Sequence, residues 1–303
     1  MSFDAFQNWV VQTGVTISVL ILIILLIRRP FARAFGANAA YALWSLPLIR
    51  LVLPGLSVPE TWLPSALKAA EIEAPVILGP AFGSAAPAMP NQASGGADPV
   101  MTTLPSIGAI LISIWLGAAC VWLIYQLIRQ AYFKSNLIAR TAPPNAARAA
   151  EIDFAVNQVG LRRVPNVRVS PDSIGPLVTG VINPLVILPH DFETKFSTEQ
   201  RNFALVHEFA HIKRGDLRVA LLTLCFRAIN WPNPLVHYAS HKLRSDQEAA
   251  CDAFVVRITG GQTAHSYAET LVKAARERGG SSQPPAHLAL SLIPRDEKIS
   301  KGD

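Results

Sequence analysis

Two long segments, residues 5–27 and 99–128, contain no Lys, Arg, Asp or Glu. They restrict this chain more than any other feature. A bilayer core is about 30 Å thick, so roughly 20 apolar residues cross it as a helix. The composition agrees. Half of the 303 residues are hydrophobic and 16% are charged, where ordinary soluble domains carry about a quarter. The same balance excludes a disordered chain. The first run ends in VLILIILLI, with Asp4 before it and Arg28, Arg29 and Arg33 after it. A cleavable leader has its positive charge first and small residues last, so a retained anchor is expected. A further apolar stretch, residues 39–56, is interrupted by Arg50 and is expected as the second of three spans. Trp115, Trp122 and Tyr125 lie inside the last, as aromatic residues near a lipid interface do.

The loops give an orientation. Arg28, Arg29 and Arg33 follow the first span, and Arg129, Lys134 and Arg140 follow the third. The loop between the second and third holds Lys68 against Glu60, Glu71, Glu73 and Asp98. Basic loops stay cytoplasmic, which places the N-terminus and the second loop outside and the C-terminal half in the cytoplasm. The expected division is residues 1–57 for two spans, 58–104 for a Pro/Gly/Ala-rich outer loop, 105–130 for the third span, 131–278 for a cytoplasmic domain and 279–303 for a flexible tail. The net charge of +6 is then mostly this bias. No recognised motif accompanies it, so nucleic acid is not an expected partner. Cys120, Cys225 and Cys251 are far apart and odd in number. They read as reduced, small apolar residues rather than a disulfide framework.

In the cytoplasmic half, Ala146–Val159 reads as an amphipathic helix stopped by Gly160. The runs VRVS, PLVTG and VINPLVILP follow as a small sheet, with residues 177–188 expected to present an edge strand. A peptide can add to such an edge by main-chain hydrogen bonds. Ser197 and Gln200 have capping-box spacing for a helix ending near Arg214 at Gly215. It carries His207-Glu208-Phe209-Ala210-His211. Residues four apart share a helix face, so both imidazoles can reach one metal ion while Glu208 acts on a metal-bound water. Phe203, Val206 and Ala210 share that face, so a core stripe with two satisfied histidines is the competing reading. Asn233-Pro234 has the pattern of a cap followed by proline in the first turn. The helix it opens carries Glu248 and Asp252 on one face. Glu248 could supply a third ligand, leaving a fourth position for water, and Asp252 could orient a ligand histidine. A solvated acidic face paired with Arg244 is the alternative. His237, His241 and Arg244 lie on the same stripe. Arg244 or His241 could serve a substrate or an oxyanion. Residues 219–236 are expected as a buried or membrane-skimming connector, because a full crossing would separate His211 from Glu248.

HEFAHIKRGD, then NWPNPLVHYASHKLRSDQEAACDAFVV, resembles the BlaR1/MecR1-type membrane metallopeptidases, peptidase family M56. SIGPLVTGVINPLVILP is similar to that family's strand segment before the zinc helix. The resemblance implies zinc held by His207, His211 and Glu248, with Glu208 as base. It implies a mainly α fold with a small β-sheet: polytopic membrane helices plus a cytoplasmic, gluzincin-like HExxH metalloprotease domain. It further implies a multi-pass protein of a bacterial inner membrane that cleaves a cytoplasmic or membrane-proximal protein, such as a transcriptional repressor. The family's fourth span and extracellular sensor have no counterpart before Asp303, so β-lactam sensing does not carry over; the chain is either a piece of a longer receptor or a member whose input comes from a partner sensor subunit. A non-proteolytic signalling scaffold with a structural or vestigial zinc site is the alternative function.

Overall fold

The computed structural model describes residues 3–52, 107–171 and 175–279. The chain is mainly helical with one small sheet. A 33-residue helix, α1 (Phe3–Phe35), is followed by two short ones, α2 (Ala37–Ala42) and α3 (Ser45–Val52). A second 33-residue helix, α4 (Ile107–Ala139), leads to α5 (Ala146–Val159). Then come β1 (Asn166–Ser170), β2 (Leu177–Thr179) and β3 (Leu185–Pro189). Helices α6 (Phe192–Lys195), α7 (Thr198–Arg214), α8 (Asp216–Ile229), α9 (Pro234–Thr259) and α10 (Ala264–Gly279) complete the described chain.

Two stretches among the described residues are long and apolar enough to cross a membrane, Gln12–Phe35 and Gly108–Ala139. Neither is a core helix of a soluble protein: 22% of the first and 6% of the second is buried. Val15, Leu22 and Leu26 on one, and Leu111, Val121 and Ile128 on the other, are left exposed by the protein itself. The segment expected as a second span differs. Over its described residues it is two short helices broken around Trp44, and residues 53–56 lie outside the described part. The break has a cause: Trp44 is buried and turned onto the far helix α9, where it finds a polar partner.

The local signals that end and start helices act as their chemistry requires. Asn145 caps α5 by accepting from the Arg148 amide at 2.8 Å, and Gly160 takes the left-handed conformation after it. Ser197 and Gln200 form a reciprocal capping box at the start of α7, and Gly215 (φ 75°) ends it. Asn233 caps α9, with Pro234 in its first turn.

The sheet order is β1-β3-β2, with β1 parallel and β2 antiparallel to β3. The segment 177–188 is therefore not one edge strand. Leu177–Thr179 is the edge, while Leu185–Leu188 runs through the centre of the sheet, buried. The reversal between them needs Gly180 (φ +88°): a Cβ there would meet the Asn183 carbonyl oxygen at 2.6 Å. One face of the sheet packs on α5, α7 and α10 through Val156, Val186, Phe203, Val206, Phe209 and Tyr267. The other face packs on the end of α4 through Leu137, Leu177, Leu185 and Ile187.

Helices α8 and α9 form a hairpin reversing at Asn230–Asn233. Helix α8 is about 21 Å long at 1.5 Å per residue. The hairpin brings the chain back to where it began, so Glu248 on α9 returns to His211 at the end of α7. It lies against the N-terminal helices: Ile17, Ile21 and Ile24 of α1, at i, i+4 and i+7, meet Val236, Ala239 and Leu243 of α9. Asn233 donates to Ser18 at 2.8 Å near one end of this contact, and Arg28 pairs with Asp246 near the other.

Candidate metal centre

Helix α7 presents His207 and His211 one turn apart, and the return of α9 brings Glu248 onto them. Nε2 of His207 and Nε2 of His211 are 3.2 Å apart. Oε2 of Glu248 is 3.6 Å from the first and 3.7 Å from the second. Tetrahedral ligands at 2.0–2.1 Å from zinc are separated by about 3.3 Å, so the three atoms have the spacing that such an ion needs.

The hydrogen bonds fix which nitrogens are available. Nδ1 of His211 is 2.7 Å from Oδ2 of Asp216, a carboxylate only 3% exposed. A carboxylate oxygen accepts there, so a neutral His211 carries its proton on Nδ1 and offers Nε2 to a metal. The Tyr267 hydroxyl donates to Oδ1 of Asp252 at 2.6 Å. Its one proton is thereby spent, and it accepts from Nδ1 of His207 at 2.8 Å. Both Nε2 lone pairs then face each other and a carboxylate oxygen at contact distance. That arrangement repels itself unless a proton or a metal ion sits between, and it fits the residues to a metal.

The electrostatics point the same way. Burial opposes the charged form of both imidazoles. Cys251, Asp252 and Glu248 around His207, and Asp216, Cys251 and Glu248 around His211, outweigh it and raise both well above the ordinary range. A surplus of negative charge surrounds the two rings. Burial, with Asp252 adding to it, pushes the Tyr267 hydroxyl far above its usual value, so it stays protonated.

Glu208 is 5% exposed, and its Oε2 has no hydrogen-bond partner among the described residues. It lines a cavity of about 200 Å³ together with His207, Glu248, Asp252, Tyr267 and Phe203. A smaller pocket on the other side is lined by His211, Asp216, Arg244, Glu248 and Val178. Pro176 borders the larger cavity and Val178 the smaller, so the edge strand β2 passes both. Six of the residues singled out in the sequence gather here: His207, Glu208, His211, Glu248, Asp252 and Arg244. His241 does not; it is exposed and lines neither pocket.

Two expectations need correction, and two residues were missed. Cys251 was read only as a reduced, small apolar residue. Its sulfur lies within 4.8 Å of the histidine ligand atoms and 3.6 Å from the His207 carbonyl oxygen. Burial pushes its thiol up, but the two imidazoles pull it below the ordinary range. The supposed edge segment is an edge only at Leu177–Thr179. Asp216 and Tyr267 had no role in the sequence reading, yet each holds a ligand histidine. Asp216 follows the helix stop Gly215 directly; only its burial reveals it. Tyr267 is 60 residues from His207 and has no local signal.

Comparison with known proteins gives the family. Residues 8–292 match the family described as BlaR1 peptidase M56. A regulatory protein BlaR1 of Bacillus licheniformis is 33% identical over 104 residues, covering 34% of this chain and 17% of the relative. A methicillin resistance mecR1 protein of Staphylococcus aureus (strain Mu50 / ATCC 700699) is 20% identical over 169 residues, covering 55% of this chain and 28% of the relative. A regulatory protein BlaR1 of Staphylococcus aureus is 26% identical over 88 residues, 29% of this chain and 15% of the relative. The chain thus covers less than a third of the length of each of these relatives. With the family match running from the first apolar helix past α10, and the HEFAH helix and the Glu248 helix inside it, the chain belongs to the BlaR1-type M56 peptidases.

Proposed function

We propose that the chain is a membrane-embedded zinc endopeptidase that cuts a cytoplasmic or membrane-proximal regulatory protein. The observation that carries this reading is the convergence of two imidazole nitrogens and a carboxylate oxygen within 3.2–3.7 Å, beside a buried Glu208 whose Oε2 has no hydrogen-bond partner among the described residues. His207, His211 and Glu248 hold the ion, and Asp216, Tyr267 and Asp252 orient the two histidines. When bound, zinc polarises a carbonyl and lowers the pKa of a coordinated water. Glu208 takes the proton of the attacking water and hands it to the leaving amine. Arg244 stands beside His211 and Glu248 in the smaller pocket, where a cation steadies a developing oxyanion or an acidic substrate group. The substrate lies extended along β2, whose outer edge passes both cavities.

The names of two relatives include "regulatory". Carried to this chain, that makes the substrate a regulatory protein such as a transcriptional repressor, and the input a signal received across the membrane or from a partner subunit. The loop charges place the peptidase region in the cytoplasm of a bacterial cell, with the chain crossing the inner membrane more than once. Reporter fusions within residues 58–104 and after residue 279 are expected to report opposite sides; the same side for both would overturn this topology.

The catalytic assignment is tested by two carboxylate variants. Glu248→Ala is expected to lose zinc. Glu208→Gln is expected to keep zinc and lose cleavage. Loss of zinc by both, to the extent of the histidine variants, would refute the separate roles.

A further inference from the structure

The candidate metal centre is gripped from outside the peptidase region, and the grip comes from the N-terminal helices. Arg28, at the end of the apolar run of α1, donates Nη1 to Oδ1 of Asp246 at 2.5 Å. Trp44, at the break between α2 and α3, donates Nε1 to Oδ2 of the same carboxylate at 2.8 Å. Both oxygens of Asp246 are thus held, each by a different N-terminal element. Asp246 stands two residues before Glu248 on α9. The pair is largely buried, with the side chains of Arg28 and Asp246 exposed by 11% and 14%. A second tie runs to the other side of the centre. Tyr41 of α2 reaches Oδ1 of Asp216 at 3.5 Å. Arg214 bonds Asn38 of α2 at 2.8 Å and Asp216 at 3.2 Å, with its guanidinium over the Tyr41 ring. Asp216 is the residue that holds His211.

Apart from one directional bond at the far end, Asn233 to Ser18 at 2.8 Å, the rest of the α1–α9 contact is built from Ile17, Ile21, Ile24, Val236, Ala239 and Leu243. Such apolar contact is non-directional and resists separation of the two helices more than sliding. A slide by a single residue's rise is about 1.5 Å, while metal ligands must sit within about 0.2 Å of their proper distance. A two-oxygen hold on Asp246 is directional and fixes the register. In a water-poor setting, removing one partner of a buried ion pair is costly, which makes the hold steep.

We infer that Arg28 and Trp44, with Tyr41 in a lesser part, are positioning residues of the metal centre: they fix α9 against α1 through Asp246, and so set where the Glu248 carboxylate meets His207 and His211. The membrane helix is then part of the metal site's support, and its position along α9 is read at the metal. The inference rests on the zinc-peptidase reading, and its test must separate the two.

The full chain is purified in detergent as wild type, Arg28→Gln, Arg28→Lys, Trp44→Phe and Ile21→Val. Zinc affinity is measured by competition with a chelator, and the ligand geometry by the visible absorption of the cobalt-substituted protein. Arg28→Gln and Trp44→Phe are expected to weaken zinc about tenfold, as loss of a partner behind a ligand does, and to shift the cobalt bands. Arg28→Lys keeps a cation beside Asp246 and is expected to recover most of the affinity. Ile21→Val trims the apolar contact alone and is expected to lower Tm and leave zinc affinity unchanged. Wild-type affinity in both Arg28→Gln and Trp44→Phe would overturn the inference while leaving the peptidase reading intact. So would an Ile21→Val loss as large as theirs, because general packing would then account for it. A wild-type chain that binds no zinc would refute the zinc reading and this inference with it.

Discussion

Asp216→Asn is the change that isolates the support of His211. Asn has nearly the same shape, so the buried site is not emptied. What changes is charge. Asp216 accepts from Nδ1 of His211 at 2.7 Å and from Arg214 at 3.2 Å, at 3% exposure. A hydrogen bond to a charged partner contributes about 1.5–3 kcal/mol and a neutral one about 0.5–1.5, so the loss at His211 is about 1–1.5 kcal/mol. At 1.4 kcal/mol per decade, zinc should bind about tenfold more weakly, the low end of the 10–100-fold range for removing a ligand's outer partner. Arg214 keeps Asn38 and the Ala250 carbonyl, so the fold should survive, and Asp216→Ala should be worse because it leaves Arg214 and Tyr41 facing a void. The assay is chelator competition alongside thermal unfolding of the metal-free protein. Zinc affinity within twofold of wild type, with the fold intact, would refute the claim that the charge of Asp216 strengthens zinc binding through His211.

Arg244→Ala is expected to lower kcat/KM roughly tenfold or more with zinc content unchanged, a loss of transition-state stabilisation; unchanged kinetics would leave the smaller pocket without a catalytic part. The pH dependence follows from the raised His207 and His211 values. Groups whose folded values lie above about 6.5 stabilise the metal-free fold most fully below that pH, and the contribution fades as pH rises through the folded values. Zinc needs neutral imidazoles, so its affinity should climb as pH rises above about 6.5 while metal-free stability falls; zinc affinity flat with rising pH would contradict the raised values of the two rings.

Much of the centre could be read directly because its signals are local. The capping pair Ser197 and Gln200, the stop Gly215 and the Asn233-Pro234 start fix two helices from a few residues each. On those helices, spacing by four then puts His207 with His211 and Glu248 with Asp252 on single faces. What spacing cannot supply is which face meets which. Asp216 looked like the flanking charge of an apolar run, and Tyr267 like one aromatic residue on a distant helix; both acquire meaning only from tertiary contacts with His211 and His207. Cys251 was misjudged for the same reason: the crossing of α7 and α9 decides its neighbours. The apolar stretch around Trp44 reads as continuous, whereas its described part breaks between α2 and α3, where the indole N–H is spent on Asp246. The segment 177–188 has the composition of one strand, and only the left-handed Gly180 divides it into an edge and a centre.

The most direct test of the central claim is zinc stoichiometry and substrate cleavage measured on the same preparations of wild type, Glu208→Gln and Glu248→Ala. One equivalent of zinc in wild type and Glu208→Gln, cleavage by wild type alone, and metal lost from Glu248→Ala is the expected result. Cleavage retained by Glu208→Gln, or full zinc in Glu248→Ala, would contradict the account.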